Sequence, residues 1–186
     1  KGIYHWASFD IGEHSSVTFE MAGTGFSALN RVTGSAAPSQ IFGKLTATKG
    51  GEVLLINANG ILFGRGAQVN VGSLVASALN TSDSEFLSGF AQSLTNPLDP
   101  ALNAAFRYDG AAENFVDSRN YVRVDEGAQL TTLSGGRVFL FAKKVENAGT
   151  ITTPSGQTVL AGGGEIYLKL PASEEKLSAS ETNPAV

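Results

Sequence analysis

The chain has 186 residues, which is long enough for one domain with a sizeable core. Its net charge of −4 and its pI of about 5.2 argue against a nucleic-acid-binding protein and against an electrostatic anchor on an anionic membrane, because both rely on clustered Lys and Arg. Charged residues make up only 16% of the chain and apolar residues 42%, a balance that favours a folded, β-rich protein over a disordered one.

Short segments rich in β-branched and aromatic residues, separated by Gly, Asn, Ser or Pro, predict strands along most of the chain. In chain order the predicted strands are 17–21, 52–56, 61–63, 69–71, 74–76, 122–124, 129–131, 137–142, 150–152, 158–161 and 165–170. The sequence therefore predicts many short strands joined by tight turns, for which the 22 glycines supply conformational freedom.

One long segment and the end of the chain depart from this pattern. Apolar residues recur at helical spacing over residues 83–94, which predicts a short amphipathic helix, and residues 101–106 predict a further helical turn. We therefore expect residues 80–120 to form an excursion that packs on one side of the strands. Residues 171–186 are rich in Ser, Glu, Ala and Pro, which predicts a linker or a disordered tail.

The strands carry an imperfect repeat. Residues 127–132 (GAQLTT) return as residues 149–153 (GTITT) after 22 residues, and residues 136–142 (GRVFLFA) return as residues 156–161 (GQTVLA) after 20. Such spacing suits stacked coils, because a single coil of two or three short strands cannot bury its own apolar face. The sequence predicts an all-β parallel β-helix, and the short gaps between strands leave an antiparallel β-sandwich as the structural alternative.

One strand is apolar on both of its faces. Side chains alternate along a strand, so Val138 and Leu140 point one way while Phe139 and Phe141 point the other. One face fills the core of a coil. The other face must be covered by an extra element or offered to a partner, since exposed apolar patches of this kind are rare.

Several stretches, in this order, resemble the two-partner secretion (TPS) domain of filamentous-haemagglutinin, high-molecular-weight-adhesin and haemolysin exoproteins. The stretches are residues 6–12 (WASFDIG) followed by 17–19 (VTF), 29–35 (LNRVTGS), 51–64 (GEVLLINANGILFG), 70–77 (NVGSLVAS) and 145–151 (VENAGTI). Together they span most of the chain, which makes the resemblance far more specific than any single motif.

The resemblance implies a right-handed parallel β-helix with small extra-helical β elements over residues 1–170. It implies a secretion domain that passes through the periplasm of a Gram-negative bacterium to the cell surface or beyond. The implied partner is an outer-membrane β-barrel transporter of the TpsB class, whose periplasmic POTRA modules bind the chain before it folds. The absence of cysteine fits this route, because a disulfide would close a loop before transit.

Two departures from the family pattern bear on recognition and on the fold. The family signature is Asn-Pro-Asn-Gly, whereas position 58 of this chain is Ala; Pro presets the first corner of a turn, and Ala permits it at an entropic cost. Family members also carry strands before the position of Ile3. We therefore expect the N-terminal cap to be missing here, and a separate N-terminal segment or another chain to complete the β-helix.

The expected recognition residues are those that match the family signatures, namely Asn57, Ala58, Asn59, Gly60, Ile61, Asn30 and Arg31. The asparagine-rich turn has two interpretations: a structural corner in which Asn side chains satisfy buried backbone groups, or a direct contact with the transporter. Likewise, Arg31 either contacts an acidic groove of the POTRA modules or bridges parts of its own chain.

Catalytic signals are weak. Residues 23–28 (GTGFSA) match a dinucleotide-binding pattern only loosely, because that mechanism needs a helix directly after the glycines. His5 and His14 lack a metal-binding spacing, and the acids between residues 109 and 126 are the best candidates for a carbohydrate-active β-helix enzyme. We expect no enzyme, cofactor, metal, nucleic-acid partner or membrane insertion. The alternative function is an adhesin segment that binds a host or bacterial surface ligand.

Overall fold

The computed structural model describes residues 1–34, 37–90, 104–108, 120–169 and 178–180. Within these ranges the chain forms short strands, one 3-10 turn at Thr48–Gly50 and one α-helix, Asp83–Ser88 (α1). The strands are Gly2–Trp6 (β1), Ser16–Phe19 (β2), Ser27–Val32 (β3), Ser39–Ile41 (β4), Lys44–Ala47 (β5), Glu52–Ile56 (β6), Ile61–Phe63 (β7), Gln68–Val71 (β8), Ser73–Ser77 (β9), Phe106–Arg107 (β10), Tyr121–Val124 (β11), Gln129–Thr132 (β12), Arg137–Ala142 (β13), Lys144–Asn147 (β14), Thr150–Thr152 (β15), Gln157–Gly162 (β16), Glu165–Lys169 (β17) and Ser178–Ser180 (β18).

Most of these strands pair in parallel with their counterparts in the coils before and after them. Within the described ranges they form three parallel sheets, sheet A (β1-β3-β6-β9-β13-β16), sheet B (β4-β7-β11-β14) and sheet C (β2-β5-β8-β12-β15). The chain passes through sheets A, B and C and then returns to sheet A one strand further along. The fold is therefore a parallel β-helix, as predicted, and the parallel pairing excludes the antiparallel sandwich for these strands.

The interior of the coils is one continuous apolar core. In sheet A, for example, Val53 pairs with Leu74 and Leu74 with Val138, and all three side chains are fully buried. Ile61 and Phe63 face this core from sheet B. Because each coil adds to the same core, the apolar surface removed from water grows with every coil that stacks.

The outer face of sheet A is also apolar, and elements outside the coils cover it. Phe139 and Phe141 point away from the interior, as the alternation along the strand predicts. Phe86 of α1 and Phe106 of β10 pack over them, and the ring centroids of Phe106 and Phe141 lie 5.0 Å apart. β10 pairs antiparallel with β17, which pairs antiparallel with β18. This outer core confirms the prediction that an extra element covers the second face.

The cover differs in detail from the predicted helices. The helix predicted over residues 83–94 ends at Ser88, because Gly89 takes a left-handed conformation with a φ of 77° and its N–H bonds back to the Phe86 carbonyl. The helical turn predicted over residues 101–106 is wrong in its described part, since Phe106 belongs to strand β10. Within the described ranges, no helix is long and apolar enough to cross a membrane.

Several strands that carried little sequence signal nevertheless form. β3 has the sequence SALNRV with a buried Ser27 and a buried Asn30, and β14 has the sequence KVEN. Each is held by parallel partners on its neighbours rather than by its own propensity. Three residues of the segment expected to be a linker or tail, Ser178–Ser180, pair with β17.

The repeat seen in the sequence is real, with one correction to its register. Gly136 and Gly156 precede the paired strands β13 and β16, so the predicted step of 20 residues is confirmed there. Leu130 pairs with Ile151, which is a step of 21 residues and lies within the predicted spacing of 20 to 22. Gly149 consequently lies one position out of register with Gly127, which begins the other segment of this repeat.

Glycines form a column at the corner between sheets C and A. A Cβ on Gly72 would lie 1.9 Å from the Gly50 carbonyl oxygen, one on Gly136 would lie 2.0 Å from the Gly72 oxygen, and one on Gly156 would lie 1.9 Å from the Gly136 oxygen. Each carbonyl thus occupies the space that a side chain of the next coil would need. The glycine repeat is therefore a steric requirement of stacking at this corner.

Replacing Gly136 by Ala should destabilise the domain by about 1–3 kcal/mol or more, because the new Cβ must displace backbone atoms. Chemical denaturation followed by circular dichroism measures the effect. Gly164→Ala is the matched control, since a Cβ there would lie 4.0 Å from its nearest neighbour, a Tyr108 atom. Equal stabilities for the two variants would show that the corner has room to relax.

Candidate partner-recognition site

Residues 57–60 (NANG) form a tight turn that carries the chain from sheet A to sheet B. The Gly60 N–H donates to the Asn57 carbonyl at 2.9 Å, and Gly60 has a φ of 102°, a conformation that favours glycine. The Asn57 side-chain oxygen accepts the Asn59 N–H at 2.9 Å, which makes an Asx turn. The local sequence thus defines the turn, with Ala58 at its first corner.

Asn57 also ties the turn to the coils on both sides. Its Nδ2 donates to the Ala37 carbonyl and to the Ser39 Oγ, each at 3.1 Å, in the preceding coil. Its backbone N–H donates to the Ser77 carbonyl of the following coil at 3.0 Å, while the Ser39 N–H donates to the Gly60 carbonyl at 3.0 Å. The amide therefore satisfies backbone and side-chain groups that the corner would otherwise bury without partners.

Folding hides most of this motif. Asn57 is 1% exposed and Asn59 5% exposed, and Gly60 is buried as well. Ile61 is fully buried because it begins β7 and faces the inner core. Of these five motif residues, Ala58 is the one that stays half-buried rather than buried. In the folded domain, therefore, very little of the motif's side-chain surface is accessible to a partner.

Asn30 lies inside the β-helix near its first coil. Its Nδ2 donates to the Leu54 carbonyl at 3.2 Å and to the Ala28 carbonyl at 3.3 Å, and its Oδ1 accepts the Trp6 Nε1–H at 3.0 Å. The side chain is fully buried. In the folded domain Asn30 therefore bonds to Trp6 of the neighbouring strand β1 and is shielded from solvent.

Arg31 points to the outer face and fastens the cover. Its Nη1 lies 2.6 Å from Oδ1 of Asp83, and its Nη2 donates to the Thr81 carbonyl at 2.5 Å. At the other end of α1, the Lys1 ammonium donates to the Phe86 carbonyl at 2.7 Å, where the helix dipole favours a cation. The helix is thus held to the sheet near both of its ends, and Arg31 bridges parts of its own chain.

The two predicted motifs meet at one corner, where the side chains of Asn30 and Arg31 lie on opposite faces of sheet A. Arg31 pairs with Ile56, the residue directly before Asn57. Asn30 and Leu55 face inward, whereas Arg31 turns outward to α1. The structure therefore brings the two motifs together along the backbone without placing their side chains in one shared surface.

Three further residues take part in this region, and no sequence pattern pointed to them. Asp83 receives Arg31, and Asn120 donates to the carbonyls of Ala58 and Ala78. Burial raises the pKa of the Glu85 carboxyl above its ordinary value. Since the folded form favours protonation, this carboxyl stabilises the domain as the pH falls and opposes folding above its folded-state pKa.

The features that suggested chemistry find no site in the described part of the chain. The loose dinucleotide pattern runs directly into strand β3, so the helix that this mechanism needs is not there. Asp125 pairs with Arg123 and Glu126 with Arg65, while Asp109, Glu113 and Asp117 lie outside the described residues. No group of three His, Cys, Asp or Glu among the described residues is arranged to hold a metal ion.

Comparison with known proteins gives consistent likenesses. A family model described as TPS secretion domain matches residues 1–185. The heme/hemopexin-binding protein of Haemophilus influenzae (strain ATCC 51907 / DSM 11121 / KW20 / Rd) is 47% identical over 83 residues, which are 45% of this chain and 8% of that protein. A second heme/hemopexin-binding protein of Haemophilus influenzae is 47% identical over 88 residues, 47% of this chain and 9% of that protein.

A solved structure resembles the whole fold. The crystal structure of the HMW1 secretion domain from Haemophilus influenzae superposes with a TM-score of 0.75 and 25% sequence identity. The match covers 98% of this chain and 42% of that chain. The chain thus spans less than half of the structural relative, and its alignments span less than a tenth of the curated relatives.

Replacing Ala58 by Pro should stabilise the domain by about 0.4–1 kcal/mol, because Pro is favoured at the first corner of such a turn and restricts the unfolded chain. The midpoint of chemical denaturation measures the change. A loss of stability would mean that the backbone at position 58 has a conformation or a hydrogen bond that Pro cannot keep.

Replacing Arg31 by Ala should destabilise the domain by about 1–3 kcal/mol, because the variant leaves the Thr81 carbonyl and Asp83 without their donor. Hydrogen exchange should quicken first at the amides of α1. Arg65→Ala is the control, since Arg65 and Glu126 are 77% and 80% exposed and such pairs contribute little. If α1 exchanges at the wild-type rate in Arg31→Ala, then Arg31 does not fasten the cover.

Proposed function

Since this chain belongs to the family of TPS secretion domains, we propose that its asparagine motifs are read by the POTRA modules of a TpsB transporter before the chain folds. Domains of this family direct export of an exoprotein by a Gram-negative two-partner system, and family membership implies a cognate TpsB transporter in general terms. The proposal goes further, because it says which state of the chain is recognised.

The burial of the motif residues carries the proposal. Asn57, Asn59 and Ile61 are buried in the folded domain, and Asn30 is enclosed beneath Trp6. A partner that reads these side chains must meet them before the coils stack. In the unfolded chain the same amides are free to donate and accept, as in recognition by strand addition.

Folding outside the cell then gives the passage a direction. Two apolar cores form when the coils stack and the cover closes, and both are absent from an extended chain in transit. A chain that has folded beyond the outer membrane cannot easily return through a pore that passes it unfolded. The exported product would be displayed at the cell surface or released, and what the whole exoprotein does there is set by its remaining sequence.

A second candidate function is adhesion by the domain itself, and the outer face of sheet C favours it. This face carries a ladder of short hydroxyl and amide side chains, in which Thr18 pairs with Thr46, Thr46 with Asn70, Asn70 with Thr131 and Thr131 with Thr152. Hydroxyls and amides cost less to desolvate than charges. Saturable binding of the folded domain to cells that lack the transporter would favour this function.

Secretion of a reporter tests the main proposal. The domain is fused to a reporter and expressed with or without the cognate transporter, and we expect the reporter outside the cell only when the transporter is present. Retention in the periplasm beside a working transporter would contradict a secretion role for this chain.

Binding to the isolated POTRA modules tests which state is read. We expect Gly136→Ala, in mild urea that unfolds it but not the wild type, to bind more tightly than the folded domain, since its motif residues are intact. Gly164→Ala, which should stay folded in the same urea, is the control. Tighter binding by the folded wild type would contradict recognition before folding.

A further inference from the structure

The chain leaves the coils at the same corner as the 57–60 turn, one coil further on. After β9 it departs at Ala78, and it returns at Asn120 to enter β11. The preceding coil makes this corner with the four-residue turn alone. The later coil must therefore close the same corner between two residues that are far apart in sequence.

The Asn120 side chain closes that corner. Its Nδ2 donates to the Ala78 carbonyl at 2.6 Å and to the Ala58 carbonyl at 3.2 Å. Its Oδ1 accepts the Lys143 N–H of the following coil at 2.8 Å, and its backbone carbonyl accepts the Lys144 N–H at 3.3 Å. Asn120 is 3% exposed. One amide thus joins the two ends of the excursion, the motif turn below and the coil above.

We propose that Asn120 is a positioning residue that locks the 57–60 turn, so that the secretion motif reaches its buried form only when a residue 62 positions downstream has docked. The role of this lock in secretion rests on the proposed function. The lock itself is a property of the folded domain and stands apart from any transporter.

Only an amide fits this position. Two carbonyl oxygens need donors and one N–H needs an acceptor, and Asn supplies two N–H donors and one oxygen from a single short side chain. A carboxylate would keep the acceptor but place a negative charge against two carbonyl oxygens. An Ala would remove all three of these hydrogen bonds.

Among the described residues, the charged groups of the neighbouring strands have partners of their own. Arg123, on the strand that follows Asn120, pairs with Asp125 at 2.9 Å. In the following coil the Lys143 ammonium lies 4.0 Å from the centroid of the Tyr108 ring. Lys144 pairs with Glu146 at 2.8 Å. We expect the two carbonyl oxygens to raise the pKa of a carboxylate placed at position 120.

The test compares Asn120→Asp with Asn120→Ala by hydrogen exchange of the purified domain across pH. At neutral pH we expect both variants to lose at least about tenfold protection at the Gly60 and Ser39 amides, which bond within the turn and to it. The amide of Gln157, which bonds to the Gly136 carbonyl at a distant corner, should keep more of its protection.

The pH profile separates a lock from a general loss of stability. As the pH falls through the raised carboxyl pKa, a protonated Asp at position 120 can donate one hydrogen bond again, so Asn120→Asp should recover protection while Asn120→Ala should not. Asn70→Asp, on the exposed face of sheet C, is the control and should show no such recovery at the turn.

The inference is overturned if the Gly60 and Ser39 amides keep wild-type protection in both variants, or if all amides lose protection equally at every pH. Binding of the unfolded variants to the POTRA modules should equal that of unfolded wild type, because the motif residues are unchanged. Failure of that binding for wild type as well would refute the proposed function and leave the lock untouched.

Discussion

The stacking of one coil on the next is the interaction on which every other feature of this protein depends. Within the coils, strands that are neighbours in the chain do not pair with each other; each pairs with its counterpart in the adjoining coil, and the inner core is shared by the coils. A single coil has neither its hydrogen bonds nor its core. Order is therefore gained cooperatively, coil by coil, which fits the proposal that the transporter meets the chain before it folds.

The backbones of adjoining coils come very close at the corners. Two kinds of residue make that close approach possible here. Glycine removes the side chain where the Gly72 carbonyl of one coil enters the space above Gly136. Buried asparagine does the opposite, since Asn57 and Asn120 add donors and acceptors where corner carbonyls and N–H groups would lack partners. Both devices respond to the same constraint, which is that backbones of adjoining coils lie very close at their corners.

The parallel β-helix and its motif turn could be predicted from local patterns, because alternation, glycine spacing and the Asn-x-Asn-Gly sequence are short-range signals. What the sequence did not show depends on distant pairing. Strand β3 forms around a buried Asn30 because its neighbours in sheet A hold it, and the role of Asn120 emerges only when residues far apart in the chain meet. The ion pair of Arg31 with Asp83 likewise joins residues that are far apart in the chain.

The closure of one corner by a single side chain also bears on how such exoproteins diversify. The hydrogen bond from Asn120 to the Ala78 carbonyl completes the coil, whatever length of chain lies between these two residues. The entropic cost of closing a loop grows only with the logarithm of its length, so a longer loop lowers the stability of the domain only slightly. Insertions at this corner can therefore add new surface to the domain during evolution, while the stacked coils keep their structure.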